Sequence, residues 1–310
     1  MKVFVTGGAG FIGSVLVKSL LEKENQVTIF DDFSNSSEKK ILPLIEKGAK
    51  LVKGDIRDFE LLKKSIINCD IVVHLAAKID VEESIKNPKI TNEVNVTGTV
   101  NVLRACVENK IKNVIALSSA AVFGNPTKLP LTEESKTNPL SPYGASKLAM
   151  EHYMHDFSHS YEINSLILRV FNVYGPGQSD AYAGVISKFL YNISQNKPLV
   201  IFGDGSNTRD FVSVYDVVDV IHKSIDNIEG KKGNCYNIAS GKHISIKELA
   251  ELMLSISGKK LEIKYESAKK GEIAHSQTLI ELAKQDLGFL PSVELKDGLK
   301  KLFEISCNIF

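Results

Sequence analysis

The sequence has no tryptophan, and aromatic residues make up only 7% of its 310 residues. It also has almost no net charge, because 38 Lys and Arg stand against 37 Asp and Glu, giving +1. A nucleic-acid-binding surface would need basic residues interleaved with stacking rings, so these absences argue against a nucleic-acid partner. Any site for an anion must be built locally from a few residues.

Long apolar runs are absent as well. The segment 1–7 reaches glycine before a signal-peptide core could form, and no stretch approaches the ~18 apolar residues of a membrane span. The four cysteines stand far apart without a CxxC pair, at Cys69, Cys106, Cys235 and Cys307. We therefore expect a soluble, cytoplasmic protein with no membrane partner and no metal site.

Short β-branched runs alternate with longer helical patterns through the first two-thirds of the chain. The runs are 3–6, 26–30, 50–52, 70–75, 113–117 and 165–170. This alternation predicts an α/β fold with a doubly wound parallel sheet, the Rossmann arrangement. Beyond residue 175 turn clusters separate shorter elements, which predicts a smaller C-terminal substrate-binding domain. We place the first domain at 1–175 with a return segment at 209–240, and the second at 176–208 and 241–310.

A glycine-rich loop, GGAGFIG at 7–13, stands between the first predicted strand and the first predicted helix. Glycines there allow a tight turn and close approach to a pyrophosphate, which the helix N-terminus then binds through its N–H groups. Asp31 ends the second predicted strand 18 residues after Gly13, near the spacing expected of the carboxylate that accepts ribose hydroxyls. Because a carboxylate repels a 2′-phosphate, the pattern predicts NAD in preference to NADP.

Tyr143 and Lys147 form the second constellation, with Ser141-Pro142 before them as a predicted helix start. A spacing of four puts both side chains on one helix face, where a nearby ammonium would lower the pKa of the phenol. Ser118 and Ser119 end the fifth predicted strand, at the carboxyl edge where ligands bind in such sheets. A tyrosine able to exchange a proton beside that edge indicates an enzyme.

These motifs, with LAA at 75–77, Asn95, SSAAVFG at 118–124 and RVFN at 169–172, resemble an extended short-chain dehydrogenase/reductase. Within that superfamily the chain is similar to UDP-glucose 4-epimerase-like members of the NAD-dependent epimerase/dehydratase family, from Met1 to about Gly288. The resemblance implies a homodimer, with helices around 96–107 and 143–154 at its interface. It also implies a nucleotide-sugar substrate, expected to be a UDP-hexose.

The resemblance assigns roles residue by residue. It makes Ser119, Tyr143 and Lys147 catalytic. The implied cofactor-binding residues are Gly7, Gly10, Phe11, Ile12, Gly13, Asp31, Asp55, Ile56, Leu75, Ala76, Ala77, Asn95, Ser118, Tyr143 and Lys147. The implied substrate-binding residues are Ser119, Asn172, Arg209, Lys269, Glu272 and Ser276. Ser276 stands where a bulky tyrosine in some relatives excludes N-acetyl sugars, so an open pocket is expected, unless Ser276 lies on a surface loop.

The implied reaction inverts C4 of UDP-glucose, UDP-galactose or their N-acetyl forms through a transient 4-keto sugar. The alternatives are a dehydratase, a decarboxylase, a reductase, or a non-catalytic NAD-binding sensor. A dehydratase would carry an Asp-Glu pair where Ala120-Ala121 stand, and a sensor would not need Ser119, Tyr143 and Lys147. One departure from the usual glutamine-small-serine pattern, Lys78-Ile79-Asp80, adds a carboxylate near the expected sugar site.

Overall fold

A computed structural model describes residues 1–178, 184–268 and 275–307, with side chains to residue 305. The strands of the described chain are β1 Lys2–Thr6, β2 Gln26–Asp31, β3 Lys50–Lys53, β4 Ile71–His74, β5 Asn113–Ser119, β6 Asn164–Val170, β7 Asn172–Tyr174, β8 Leu199–Phe202, β9 Thr208–Ser213, β10 Lys232–Ile238, β11 His243–Ser245 and β12 Ile263–Glu266.

The helices are α1 Phe11–Glu22, α2 Glu38–Glu46, α3 Phe59–Ser65, α4 Val81–Lys86, α5 Pro88–Asn92, α6 Gly98–Glu108, α7 Pro142–Ser160, α8 Val185–Ser194, α9 Val214–Asp226, α10 Ile246–Ser257, α11 Glu281–Leu287 and α12 Leu295–Cys307. A π-helical turn, Glu93–Thr97, joins α5 to α6, and a 3-10 turn, Ala120–Phe123, follows β5. None of the helices in the described residues combines the length and apolar composition needed to cross a bilayer.

The main sheet has seven parallel strands in the order β10-β6-β5-β4-β1-β2-β3. The predicted α/β class and parallel sheet are therefore confirmed, and the six predicted runs correspond to β1 through β6. The inner strands β1, β2, β4, β5 and β6 are largely buried because helices cover both sides of the sheet, which accounts for their apolar runs, whereas the edge strand β3 is partly exposed. The parallel order brings the ends of β1, β2, β4 and β5 to one edge.

The remaining strands form a second unit. It consists of a three-stranded sheet, β11-β9-β7, a two-stranded sheet, β12-β8, and the helices α8, α10 and α12 that pack with them. Its core is apolar and separate from the two cores that flank the main sheet. Within the segment 209–240, α9 lies on α1 and β10 pairs with β6, whereas β9 belongs to the three-stranded sheet. Residues 281–289 pack into the first core through Ala283, Leu287 and Phe289. The domain boundaries stay a prediction.

Candidate active site

A cavity of about 1070 Å³ opens at the carboxyl edge of the main sheet and extends to the second unit. It brings together most of the predicted site residues. Those lining it are Gly7, Gly10, Phe11, Ile12, Gly13, Asp31, Asp55, Ile56, Leu75, Ala76, Ala77, Ser118, Ser119, Tyr143, Lys147, Asn172 and Arg209. Lys269 and Glu272 lie outside the described residues, so the structure says nothing of them.

The glycine loop forms a cradle that side chains would fill. Gly7 has a φ of +69°, and a Cβ there would lie 2.7 Å from the backbone nitrogen of Ala76. A Cβ on Gly13 would lie 2.2 Å from the carbonyl oxygen of Gly7, so α1 can pack this closely on the loop only because residue 13 is glycine. The first N–H groups of α1, which have no partners within the helix, face this cradle. The arrangement fits the diphosphate of a dinucleotide.

Asp31 lies at the end of β2 and is buried on one side of the cradle. Its carboxylate accepts hydrogen bonds from the backbone N–H groups of Ala9 at 3.0 Å and Phe33 at 2.8 Å, and from the Ser36 hydroxyl at 3.2 Å. Burial raises the pKa of Asp31, while these hydrogen bonds lower it. The carboxylate is thus fixed in orientation beside the cavity, as a ribose-binding acid must be.

Ser119, Tyr143 and Lys147 converge on the cavity wall. Ser141 caps α7 by accepting from the N–H of Gly144 at 3.1 Å, and Pro142 begins the helix, so the predicted helix start is confirmed. Ser119 accepts from the N–H of Ala121 at 3.1 Å, which holds its hydroxyl at the end of β5.

The environment of Tyr143 differs from the sequence prediction. Burial raises the pKa of Tyr143, and a hydrogen bond from Ser119 is the interaction that lowers it. The ammonium of Lys147 donates to the carbonyl oxygen of Leu117 at 2.8 Å. Burial lowers the pKa of Lys147 to about 8. Ser119 is thus the group seen to lower the pKa of Tyr143 in this structure, and the lowering by Lys147 stays a prediction.

Asn95 does not line the cavity, although we expected it to contact the cofactor. Its side chain is committed to protein groups: Oδ1 accepts from the N–H of Lys78 at 2.7 Å, and Nδ2 donates to the Lys78 carbonyl and the Ser146 hydroxyl, each at 2.9 Å. Ser146 in turn donates to the carbonyl of Tyr143 at 2.7 Å. Asn95 thus fixes a cavity wall to α7 instead of forming that wall.

Ser276 and Asp80, both expected near the sugar pocket, lie outside the cavity lining. Ser276 is buried and donates its backbone N–H to the carbonyl oxygen of Thr208 at 3.1 Å, so it does not lie on a surface loop. The gate at Ser276 stays a prediction. The extra carboxylate of Asp80 caps α4 by accepting from the N–H of Glu83 at 2.7 Å, and it does not line the cavity either.

The sequence analysis missed a buried ion pair behind the catalytic wall. Glu151 follows Lys147 by one further helical turn, and its carboxylate accepts two hydrogen bonds from Arg169, at 2.9 and 2.7 Å. The same carboxylate accepts from the Ser118 hydroxyl. Both ion-pair side chains are under 9% exposed, so removing one would leave the other uncompensated, at a cost of roughly 3 to 5 kcal/mol. The spacing of four residues from Tyr143 to Lys147 and from Lys147 to Glu151 was the signal that could have placed Glu151 on the same helix face.

The chain is similar to several characterised proteins along its full length. The model of the NAD dependent epimerase/dehydratase family matches residues 3–239. A UDP-glucose 4-epimerase of Mycolicibacterium smegmatis is 34% identical over 313 residues, covering 99% of each chain. The solved UDP-glucose 4-epimerase of Thermotoga maritima, with UDP-glucose, gives a TM-score of 0.94 at 31% identity, covering 100% of this chain and 99% of that one. The solved UDP-N-acetylglucosamine 4-epimerase of Methanobrevibacter ruminantium, in complex with UDP-N-acetylmuramic acid, gives 0.94 at 33%, with the same coverage.

Proposed function

The chain belongs to the NAD-dependent epimerase/dehydratase family, and from this membership we propose that it inverts C4 of a UDP-hexose. The family's dependence on NAD confirms the cofactor that the glycine loop and Asp31 predict. One observation carries the proposal: Tyr143 and Ser119 line the same cavity as the glycine loop and Arg209. A dinucleotide on the loop and a nucleotide sugar at Arg209 would both reach the phenol.

Epimerisation requires a proton to leave the sugar's 4-hydroxyl and later return to the same oxygen. NAD, when bound, supplies a reversible hydride acceptor for C4. Tyr143 moves the proton, and Ser119, whose hydrogen bond lowers the pKa of Tyr143, stabilises the phenolate and orients the hydroxyl. Lys147 is positioned by Leu117 to hold the nicotinamide ribose. The sugar then turns over before reduction on its other face.

The guanidinium of Arg209 is the proposed diphosphate ligand in the second unit. It lies on β9, lines the cavity, and has one nitrogen fixed by the carbonyl of Thr208 at 2.9 Å. A planar guanidinium can bind phosphate oxygens in bidentate fashion. Asn172 on β7 lines the same cavity and offers an amide to the substrate.

A dehydratase is the alternative within the family, and the turn after β5 weighs against it. Eliminating water requires an acid and a base beyond Tyr143, whereas the turn Ala120–Phe123 carries only apolar side chains. Neither Ala120 nor Ala121 lines the cavity. We therefore propose that the reaction eliminates no water. An epimerised product has the same mass as the substrate and differs from it in configuration, whereas a dehydratase product would be lighter by one water.

The test is conversion of UDP-glucose and UDP-N-acetylglucosamine with added NAD, followed by separation of the C4 epimers. Tyr143→Phe should bind both ligands nearly as well as the parent and lose several orders of magnitude in kcat, because only the proton transfer is removed. Tyr153→Phe, which changes an exposed tyrosine of the same helix, is the matched control. Retention of most activity by Tyr143→Phe would exclude it as the proton-transfer residue, and conversion of neither sugar would exclude UDP-hexose epimerisation.

A further inference from the structure

The cofactor end of the cavity is lined by several carboxylates, whose negative charges repel a diphosphate ligand. Asp31, Asp32 and Asp55 line it. Arg57 compensates Asp55 through a salt bridge at 2.6 Å, whereas Asp31 and Asp32 lie nearer the glycine loop. A bound diphosphate would add two further negative charges. The net charge of the whole chain is only +1, so no general field offsets this repulsion. A cation close to the glycine loop is needed, and Lys40 on α2 is the lysine of the described lining that contacts this loop.

Lys40 reaches the loop through its ammonium group. Nζ lies 3.4 Å from the carbonyl oxygen of Gly10, the residue immediately before α1, and 3.0 Å from the carbonyl oxygen of Gly177. An ammonium has three N–H donors, and within the described residues these two carbonyls are its hydrogen-bond acceptors, which leaves a third donor for a ligand. Burial lowers the pKa of Lys40, and the negative charge of nearby Asp31 opposes this shift, which is consistent with an ammonium close to the ribose-binding carboxylate.

The contact with Gly177 joins two walls of the cavity. Gly177 follows β7, and the chain continues from it toward α8 in the second unit, whereas α2 belongs to the main sheet's covering layer. A Cβ on Gly177 would lie 3.4 Å from both Cε and Nζ of Lys40, so the lysine packs closely against this turn. A dinucleotide bound along the glycine loop would lie beside this bridge.

We propose that Lys40 is a diphosphate ligand of the dinucleotide, and that its bridge from α2 to Gly177 slows cofactor release. The remaining donor is available to the diphosphate, whose charge the α1 N-terminus offsets only in part. The proposal concerns cofactor binding alone, so it can hold or fail independently of the sugar chemistry. It predicts that removing the charge of Lys40 weakens the binding of ligands that carry a diphosphate.

The experiment compares the affinities of adenosine, ADP and NAD for the purified protein, measured by calorimetry. Lys40→Met retains the apolar stem and removes the charge, Lys40→Gln retains N–H donors without the charge, and Lys40→Arg retains both. Lys39→Met removes the neighbouring exposed lysine and is the matched control. We expect about a tenfold weaker affinity for ADP and NAD in the two uncharged variants, with adenosine changed less than twofold.

A faster release of bound NAD in stopped-flow displacement should accompany this loss, and Lys40→Arg should restore most of the affinity. Unchanged ADP and NAD affinity in Lys40→Met and Lys40→Gln would overturn the proposal. Equal weakening of adenosine would also overturn it, since that result indicates a displaced α2.

Discussion

At the scale of single residues, the hydrogen bonds around His74 determine which of its nitrogens carries the proton. The Thr6 hydroxyl accepts from the backbone N–H groups of Leu75 and Ala76, each at 3.2 Å. Its own hydrogen is thus left for the His74 Nδ1, at 2.7 Å. Nδ1 is therefore an acceptor, and the ring is neutral with its hydrogen on Nε2.

The other side of the ring agrees with this assignment. The Thr99 hydroxyl donates to the carbonyl of Asn95 at 2.6 Å, so it must accept from His74 Nε2 at 3.0 Å. Burial, together with the nearby positive charge of Lys147, lowers the pKa of His74 to about 3. The ring is thus a neutral link between β1, the cavity wall after β4, and α6.

The depressed pKa of His74 predicts a pH-dependent stability. Between about pH 6.5 and 3 the unfolded chain binds a proton that the folded ring does not, so stability falls as the pH falls through this window. Relative to His74→Gln, the parent should lose about 2 kcal/mol more free energy of unfolding between pH 7 and pH 5. Urea unfolding at both pH values measures this difference, with His159→Gln, which removes an exposed ring, as control. Equal losses in the parent and His74→Gln would contradict the neutral assignment.

At the scale of single elements, the glycine loop has two separable functions. Gly13 permits α1 to pack on the loop, since its Cβ would meet only backbone atoms, at 2.2 to 3.0 Å. Gly10 has an ordinary extended conformation with a φ of −68°, and its Cβ would meet one atom, at 3.1 Å. Gly13 is therefore required by the fold, and Gly10 by the ligand that approaches the loop.

Alanine substitutions should separate these functions. Gly13→Ala should lower the free energy of unfolding of the ligand-free protein by about 3 kcal/mol, because rigid backbone must move to admit the methyl group. Gly10→Ala should change that energy by less than about 1 kcal/mol, yet weaken NAD binding, because its methyl group enters the cavity. Chemical denaturation and NAD titration of both variants check this. The same stability loss in both would refute the distinction.

Elements with local signals were the ones predicted accurately. The strands β1 to β6 follow from their β-branched runs, and α7 follows from its Ser141-Pro142 start, because short-range geometry decides both. The three-residue strands β7 and β11 carry no such signal, since so few residues cannot display a period.

At the scale of the whole molecule, contacts between distant segments determine the positions of several residues that local patterns do not indicate. The backbone of Ser276 pairs with Thr208 across 68 positions of chain, and no local pattern announces such a pairing. Lys40 and Gly177 meet across a separation of 137. The Ser119, Tyr143 and Lys147 set was predicted because parallel topology brings the ends of strands to one edge.

The two units are expected to bind different parts of the ligand pair, the main sheet binding NAD and the second unit binding the nucleotide. Each ligand should then raise the melting temperature independently, by roughly 5 °C at a hundred times its dissociation constant. Arg209→Met should remove most of the increase in melting temperature caused by UDP and leave the increase caused by NAD. The reason is that Arg209 lies on β9 of the three-stranded sheet, whereas the glycine loop follows β1 of the main sheet. Arg104→Met, an arginine of α6 outside the cavity lining, should retain both increments. Differential scanning calorimetry with each ligand alone and together measures them. If Arg209→Met kept the full UDP increment, or lost the NAD increment as well, the division of the ligands between the two units would be wrong.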